Sequence, residues 1–294
     1  MPVFYSILNL KKRHPLTISR GTITGTKSLF LRFEAGAKHG DTWGMGEICP
    51  GTIGGIDDVA DAIPLLQAWL EDDSLLMSPY ALWQKGIELG IPLNVLAAGD
   101  TASWSLLAHQ AGLPLRKLLG LTKPSVPTSI TIGINPIGVI RERVPELLSC
   151  TRARYLKIKL GSREGLEHDK AIYATAREAA APFQVGLRID ANGGWDVQAA
   201  LQMMHWLSTR DCDYIEQPLP QGQEADLAVL YRNRPLPIFV DESCCTSQDI
   251  PGWAAHVDGC NLKLQKCGGI TEALRIIGTA KAFGLKTMIG CYGE

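Results

Sequence analysis

Three acidic residues close short apolar runs at nearly equal intervals along the chain. They are Asp190 in GLRID, Glu216 in DYIEQP and Asp241 in IFVDES, 26 and then 25 residues apart. This interval suits one strand, one helix and their loops in a parallel βα repeat. Because parallel strands end at the same edge of a sheet, we expect the three carboxylates to converge there. Three carboxylate ligands favour a hard divalent cation such as Mg²⁺.

Three lysines lie on strands that flank the acidic ones. Lys157 and Lys159 are two residues apart in YLKIKL and therefore point to the same face of a strand. Lys263 in NLKLQK has the corresponding position on a later strand. In a closed barrel these strands lie on opposite sides of the carboxylates, with one ammonium group on each face of a substrate that binds the metal. One lysine could then remove a proton while the other delivers one to the opposite face.

This arrangement suits proton transfer at a carbon next to a carboxylate, through an enediolate intermediate. A divalent cation stabilises the negative charge where it develops. The lysine that acts as the base must be neutral near pH 7, whereas free lysine has a pKa of about 10.4. The ammonium group of Lys157 and the metal would both lower the pKa of Lys159. Taken singly, each acidic residue could instead be a helix cap or one half of a structural ion pair.

Two features close to Lys263 have alternative interpretations. Lys266 is either a charge outside the site or one that supports it. The glycines of CGGI at 267–270 are compatible with a phosphate-binding turn and equally with a tight turn between a strand and a helix.

The composition of the chain argues against several functional classes. With 294 residues, 46% of them apolar, the chain can bury a large core. A formal net charge of −1 argues against a nucleic-acid partner. The N-terminal segment lacks the pattern of a secretory signal, and no run reaches the ~18 consecutive apolar residues of a membrane span. We therefore expect a cytoplasmic protein without a membrane partner, whose eight cysteines are free thiols.

The order of patterns along the chain predicts two domains. Residues 1–122 begin as a β meander, with LFLRFEAG as its clearest strand between the turn-rich pieces SRGTITGT and GAKHGDTWGMG. From Asp57 they continue as three amphipathic helices, in DDVADAIPLLQAWL, PYALWQKGIELG and DTASWSLLAHQAG. Strands followed by helices are typical of a separate α+β unit. Residues 123–294 alternate seven apolar runs with amphipathic helices, which predicts a parallel sheet, open or closed into a barrel. Only YGE follows the seventh run, so we expect an incomplete copy of a longer protein.

These motifs resemble the enolase superfamily in its muconate-lactonizing subgroup, and most closely the dipeptide epimerases. In the second domain the similar stretches are KIK at 157–159, DANGGW from 190, EQPLP from 216, DES from 241, NLKLQKCGGITEA from 261 and MIGC from 288. In the first domain they are PLTISRGT at 15–22, GMGE at 44–47 and the segment 103–120. The resemblance implies an α+β capping domain at 1–122 and a modified TIM barrel of the (β/α)7β type at 123–294, truncated after its seventh strand.

The resemblance also implies a role for particular residues. Asp190, Glu216 and Asp241 would bind Mg²⁺, Lys159 and Lys263 would be the acid/base catalysts, and Lys157 would assist Lys159. Loops near residues 20–24 and 47–55 would close over the substrate. The residues expected to contact the substrate or support the ligands are Ile23, Thr24, Ile53, Asn192 and Cys291.

The implied activity is that of an isomerase, a Mg²⁺-dependent dipeptide epimerase that inverts the α-carbon of the second residue. Relatives that act on Ala-Glu dipeptides are expected to have an arginine three residues after the arginine of the Arg20-Gly21 pair, where this chain has Ile23. Because an apolar residue cannot pair with a carboxylate, we expect a second residue that is neutral or hydrophobic. The Asp-x-Asp that holds the substrate ammonium in such epimerases would fall beyond Glu294.

Three other functions remain open at this point. A dehydratase of the same superfamily, o-succinylbenzoate synthase, has a similar lysine pair. A metal-free Schiff-base aldolase would use one lysine as its nucleophile. An incomplete barrel could also bind metal without turnover. The partner in the preferred interpretation is a small dipeptide, and assembly as a homo-oligomer is compatible with it.

Overall fold

An antiparallel sheet forms the first part of the molecule. The computed structural model describes residues 2–35, 42–70, 77–123 and 126–292. Strands β1 (Val3–Ile18), β2 (Gly21–Glu34) and β3 (Trp43–Ile48) pair in the order β1-β2-β3. The predicted meander is confirmed, but part of the predicted turn SRGTITGT belongs to β2. These residues pair with the end of β1 instead, with Ile23 opposite Leu16.

Helices cover one face of this sheet. After a 3₁₀ turn at Val59–Asp61, the chain forms α1 (Ala62–Trp69), α2 (Pro79–Glu88), α3 (Leu93–Gln110) and α4 (Leu115–Leu118). The predicted helices are confirmed. Helix α3 begins earlier than its predicted segment, because the residues before Asp100 are also buried against the sheet.

Glycines on β3 allow α3 to pack closely against the sheet. A Cβ atom on Gly44 would lie 2.0 Å from the carbonyl oxygen of Ala102, and one on Gly46 would lie 2.0 Å from that of Ala98. Such distances are far below van der Waals contact, so a side chain at either position would push the helix away. The close packing brings α3 and the end of β3 to the same edge of the domain.

A curved parallel sheet forms the second part of the molecule. Its seven strands lie in the order β10-β9-β8-β7-β6-β5-β4, so each strand neighbours the next one in sequence. The strands are β4 (Ser129–Ile132), β5 (Tyr155–Lys159), β6 (Gly186–Asp190), β7 (Cys212–Glu216), β8 (Ile238–Val240), β9 (Gly259–Leu262) and β10 (Lys286–Ile289). The predicted capping unit and parallel (β/α) barrel sheet are confirmed, and no eighth barrel strand occurs among the described residues.

Helices connect these strands on one face. They are α5 (Ile137–Ser149), α6 (Leu166–Ala180), α7 (Val197–Ser208), α8 (Leu227–Asn233), α9 (Ile250–Trp253), α10 (Leu264–Cys267) and α11 (Ile270–Ala282). On β5, Leu156 and Ile158 are fully buried in the core beneath these helices. Because side chains alternate along a strand, Lys157 and Lys159 face the inside of the curve.

Two hydrophobic clusters are found among the described residues. One extends from Leu29 to Leu106 and the other from Ile132 to Leu285. The predicted domain boundary between residues 122 and 123 lies between these clusters and stays a prediction. In the described part of the chain, no helix has both the length and the apolar character needed to cross a membrane.

The cysteines are free, as expected. Five are buried, at positions 49, 212, 244, 260 and 267, while Cys150 and Cys291 are exposed. Buried thiols of this kind pack as small apolar side chains.

Candidate active site

The three predicted carboxylates meet at one edge of the parallel sheet. Asp190 and Glu216 are the last residues of β6 and β7, and Asp241 follows β8 directly. One carboxylate oxygen from each lies within 4.8 Å of the others. All three side chains are fully buried. Three converging hard oxygen donors fit a divalent cation, and a buried cluster of like charges needs positive charge close by.

The predicted lysines supply part of this positive charge from both sides. The Lys159 Nζ lies 2.5 Å from Asp190 Oδ2, and the Lys157 Nζ lies 2.5 Å from Glu216 Oε2. On the other side, Lys263 Nζ is 2.6 Å from Asp241 Oδ2. The carboxylates are thus enclosed between ammonium groups from β5 and from the end of β9.

These contacts shift the ionisation of the groups involved. Burial alone would lower the pKa of Lys157, but the charges of Glu216 and Asp190 outweigh it and raise the pKa. Burial would raise the pKa of Asp241, but the charges of Lys263 and Lys266 hold it well below its ordinary value. For Glu216, burial and the neighbouring Asp190 raise the pKa to about 7. A cation bound beside Glu216 would favour its charged form.

Lys266 and Asn261 support the carboxylates from beneath. Lys266 is fully buried, and its Nζ donates to Asp241 Oδ1 at 2.8 Å and to the Asn261 carbonyl oxygen at 3.0 Å. The interpretation of Lys266 as a charge outside the site is therefore wrong, and the supporting role is correct. Asn261 Nδ2 donates to Glu216 Oε1 at 2.8 Å. Sequence reasoning missed Asn261, although it lies two residues before Lys263 and so shares its face of the strand.

Asn192 lies beside the carboxylates, as the resemblance implied. Its main-chain N–H donates to Asp190 Oδ1 at 2.8 Å, and the side chain is buried, with its Nδ2 3.3 Å from Glu242 Oε1. The turn between β1 and β2 reaches this point from the first domain. There, Ser19 and Arg20 both donate to the Asn192 carbonyl oxygen, at 2.9 and 3.2 Å.

The other predicted substrate contacts lie on β2, in the loop after β3 and after β10. Ile23 and Thr24 are on β2 next to this turn and are exposed, and Ile53 lies in the loop after β3. Cys291 follows β10 and is exposed. Their contact with substrate stays a prediction.

Tyr292 is a neighbour of Lys263 that sequence reasoning missed. Its ring centroid lies 4.9 Å from Lys263 Nζ. Burial raises the pKa of its hydroxyl, while a hydrogen bond with the main chain of Ile53 acts in the opposite direction. Tyr292 therefore lies between the loop after β3 and one of the two lysines. Its only signal in the sequence is that it follows the last strand closely.

The first domain also forms hydrogen bonds with the segment that follows Lys263. Asp100 on α3 accepts hydrogen bonds from Thr271 N at 2.9 Å and Thr271 Oγ1 at 2.6 Å, at the start of α11. Gly269 precedes this helix with φ +110°, and a Cβ there would lie 2.4 Å from Asp100 Oδ2. A carboxylate thus already lies at this helix N-terminus. The phosphate-binding interpretation of CGGI is wrong, and the tight-turn interpretation is correct.

The chain matches a known family over more than half of its length. The sequence model described as "Enolase C-terminal domain-like" matches residues 140–294. The chain belongs to this family of the enolase superfamily, and the resemblance found in the sequence is confirmed.

Proteins similar to the whole chain are named as dipeptide epimerases. One from Flavobacteria bacterium (strain MS024-2A), named a hydrophobic dipeptide epimerase, is 52% identical over 287 residues, which is 98% of this chain and 81% of that protein. Another with the same name, from Roseobacter litoralis, is 50% identical over 294 residues and covers 100% of this chain and 84% of that protein.

Solved structures agree with the fold. The dipeptide epimerase of Enterococcus faecalis V583, complexed with Mg and L-Leu-L-Tyr, has a TM-score of 0.90 at 29% identity, covering 98% of this chain and 81% of that one. The dipeptide epimerase of Cytophaga hutchinsonii, complexed with Mg and D-Ala-L-Val, has a TM-score of 0.89 at 26% identity, covering 99% and 78%.

Proposed function

We propose that this protein is a Mg²⁺-dependent dipeptide epimerase that inverts the α-carbon of the second residue of a dipeptide. One observation carries the proposal: a buried triad of carboxylates lies between two lysines that approach from opposite sides. Epimerisation needs a proton donor and a proton acceptor on opposite faces of one carbon. The relatives named hydrophobic dipeptide epimerases support this reaction over others of the superfamily.

The roles of the residues follow from their positions. Asp190, Glu216 and Asp241 would hold Mg²⁺, which when bound would supply positive charge to the terminal carboxylate of the dipeptide. Lys159 would exchange a proton with one face of the α-carbon through its Nζ, and Lys263 with the other face. Because the two amines serve opposite faces, the reaction can run in either direction with the same residues.

Several contacts would keep the charged groups of the site in place during the reaction. Lys157 is held by Glu216, so it adds a fixed positive charge beside Lys159. Asn261 and Lys266 hold Glu216 and Asp241 from beneath, which keeps the ligand oxygens pointing to one position. Groups held in this way need not reorganise as charge develops on the substrate.

We further propose that the second residue of the substrate is hydrophobic. Ile23 on β2 offers no charge to an acidic side chain, and both close relatives are named for hydrophobic dipeptides. We also propose a cytoplasmic location and assembly as a homo-oligomer. Size-exclusion chromatography with light scattering would test the assembly.

The reaction can be tested in D₂O with Mg²⁺ and a pair of dipeptides, L-Ala-L-Leu and L-Ala-L-Glu. We expect deuterium at the α-carbon of leucine, with formation of the D-leucine epimer, and much slower labelling of glutamate. EDTA should abolish both. Formation of o-succinylbenzoate by dehydration, without dipeptide labelling, would favour the dehydratase instead, and a borohydride-trapped adduct would favour the aldolase.

A further inference from the structure

Gln265 joins the turn that follows Lys263 to the end of β3. It lies on α10, between Lys263 and Lys266. Its Nε2 donates to the Glu47 carbonyl oxygen at 2.6 Å, and its Oε1 accepts from the Cys49 N–H at 3.1 Å. Both ends of the carboxamide are therefore bonded to the main chain of the first domain.

The two hydrogen bonds follow the pattern of a parallel strand pair. In such a pair, one residue donates to the carbonyl before its partner and accepts from the amide after it. The carboxamide of Gln265 does this around Ile48, the last residue of β3. A carboxylate lacks the donor and an ammonium group lacks the acceptor, so neither could make both bonds. The contact thus requires a neutral amide of this length.

The main chain held by Gln265 is the base of the loop 49–55. Asn94 on α3 is fully buried and closes this base from the other side. Its Nδ2 donates to the Cys49 carbonyl oxygen at 2.9 Å, and its Oδ1 accepts from the Ile56 N–H at 3.0 Å. The loop is therefore closed at its base. Its distance from Lys263 depends on the contacts that hold this base.

We propose that Gln265 is a positioning residue that sets the distance between the loop 49–55 and Lys263, and so determines how tightly the substrate side chain is held. This inference rests on the proposed function and on the prediction that Ile53 contacts the substrate. Lys263 keeps its own contact with Asp241 at 2.6 Å. Loss of the Gln265 contact should therefore loosen the loop and leave the reacting groups in place.

The substitution Gln265→Met tests the contact, because it keeps the length of the side chain and removes both hydrogen bonds. Gln84→Met is the matched control, since Gln84 is exposed and its side-chain bond among the described residues is to Glu88 on the same helix, with Nε2 3.1 Å from Oε1. Hydrogen–deuterium exchange of the segment 49–56 should be at least about fivefold faster in Q265M than in the wild type, because a loop without these two hydrogen bonds opens more often. In Q84M it should match the wild type. This measurement needs no turnover.

Kinetics then separates positioning from general damage. In Q265M we expect KM for L-Ala-L-Leu to rise roughly tenfold while kcat stays within about threefold, as for lost binding that is equal in the ground and transition states. Mg²⁺ affinity, measured by calorimetry, should not change. Q84M should have wild-type values in all three measurements.

Wild-type exchange of the segment 49–56 in Q265M would overturn the inference, and so would equal KM values in Q265M and Q84M. A fall in kcat together with weaker Mg²⁺ binding would also overturn it, because the residue would then act on the metal ligands. If Q265M does not fold, Gln265→Glu, which keeps an acceptor but replaces the donor with a charged oxygen, should change exchange and KM in the same direction. Lack of turnover in the wild type would contradict the proposed function alone, and the exchange experiment would still decide whether Gln265 holds the loop.

Discussion

Lys159 and Asp190 are register partners on the neighbouring strands β5 and β6, and Lys159 Nζ lies 2.5 Å from Asp190 Oδ2. The same register continues to Glu216 on β7. Lys263 approaches the far end of this row, 2.6 Å from Asp241. The carboxylates thus hold two ammonium groups apart while bringing both to one site, which is the geometry that two-faced proton transfer needs.

Replacing either lysine should greatly slow epimerisation but leave proton exchange at one face of the α-carbon. In Lys159→Ala and Lys263→Ala, we expect epimerisation to fall by at least about a thousandfold, because positioned acid/base groups contribute 10²–10⁴ each. Each variant should still exchange the α-proton of one epimer in D₂O, and the two variants should exchange opposite epimers. NMR of L-Ala-L-Leu and L-Ala-D-Leu measures this directly.

The surface substitution Lys281→Ala on α11 is the control for loss of a lysine charge. It should keep the wild-type rate with both epimers. If both site variants lost exchange of the same epimer, the two amines would not serve opposite faces.

Removing one ligand should weaken both metal binding and folding. Asp241→Asn deprives the Lys263 and Lys266 ammonium groups of the carboxylate that lies 2.6 and 2.8 Å away. Breaking a buried ion pair in this way costs about 3–5 kcal/mol. Mg²⁺ affinity should fall by at least about tenfold, as is typical even for residues that only support a ligand. Urea unfolding without Mg²⁺ and calorimetric titration with Mg²⁺ measure the two effects.

Asp213→Asn is the matched control for this substitution. Asp213 lies on β7 like Glu216, but it is exposed and pairs with Arg188 at 3.6 Å. It should change neither quantity appreciably, because exposed ion pairs contribute little. Unchanged Mg²⁺ affinity in D241N would exclude Asp241 as a ligand.

The carboxylates and three of the lysines could be predicted from the sequence because a parallel sheet converts regular spacing into proximity. Asp190, Glu216 and Asp241 needed only the strand repeat to bring them together. For Lys157 and Lys159, alternation along β5 was sufficient. These are local rules, and they hold whatever packs against the sheet.

The contacts between the two parts of the molecule could not be predicted in this way. Gln265 meets β3 and Asp100 meets Thr271 across more than 150 residues of chain, at positions that no periodicity marks. Lys266 points inward because a single turn of helix follows β9, and that turn was not recognised in the sequence. Such pairs depend on how α3 packs on the sheet, which is a property of the folded molecule.

Asp100 should make the stability of the protein depend on pH. Burial raises its pKa from 3.8 to about 6, although hydrogen bonds from Thr271 oppose the shift. Between these values the folded state binds more protons than the unfolded state, so the free energy of unfolding falls as the pH rises from about 4 to about 6. The shift corresponds to about 3 kcal/mol at most. Asp100→Asn should remove this pH dependence.

Urea unfolding at pH 4 and pH 7 tests this prediction. Relative to wild type, D100N should become more stable as the pH rises. Asp58→Asn is a control of opposite sign, because the Ala60 N–H and Lys27 lower the pKa of Asp58 and its contribution is lost as the pH falls. Parallel pH curves for D100N and wild type would show that Asp100 titrates normally in the folded protein.

A single substitution on β2 should change which dipeptide is preferred. Ile23 lies opposite Leu16, next to the turn that brings Arg20 to Asn192, and the residue is 37% exposed. Ile23→Arg would place a guanidinium group there, which can pair with a carboxylate through two hydrogen bonds. We expect the ratio of kcat/KM for L-Ala-L-Glu over L-Ala-L-Leu to rise by at least about tenfold. Ile23→Leu, which adds no charge, should keep the wild-type ratio. The same ratio in I23R and I23L would mean that position 23 does not face the substrate side chain.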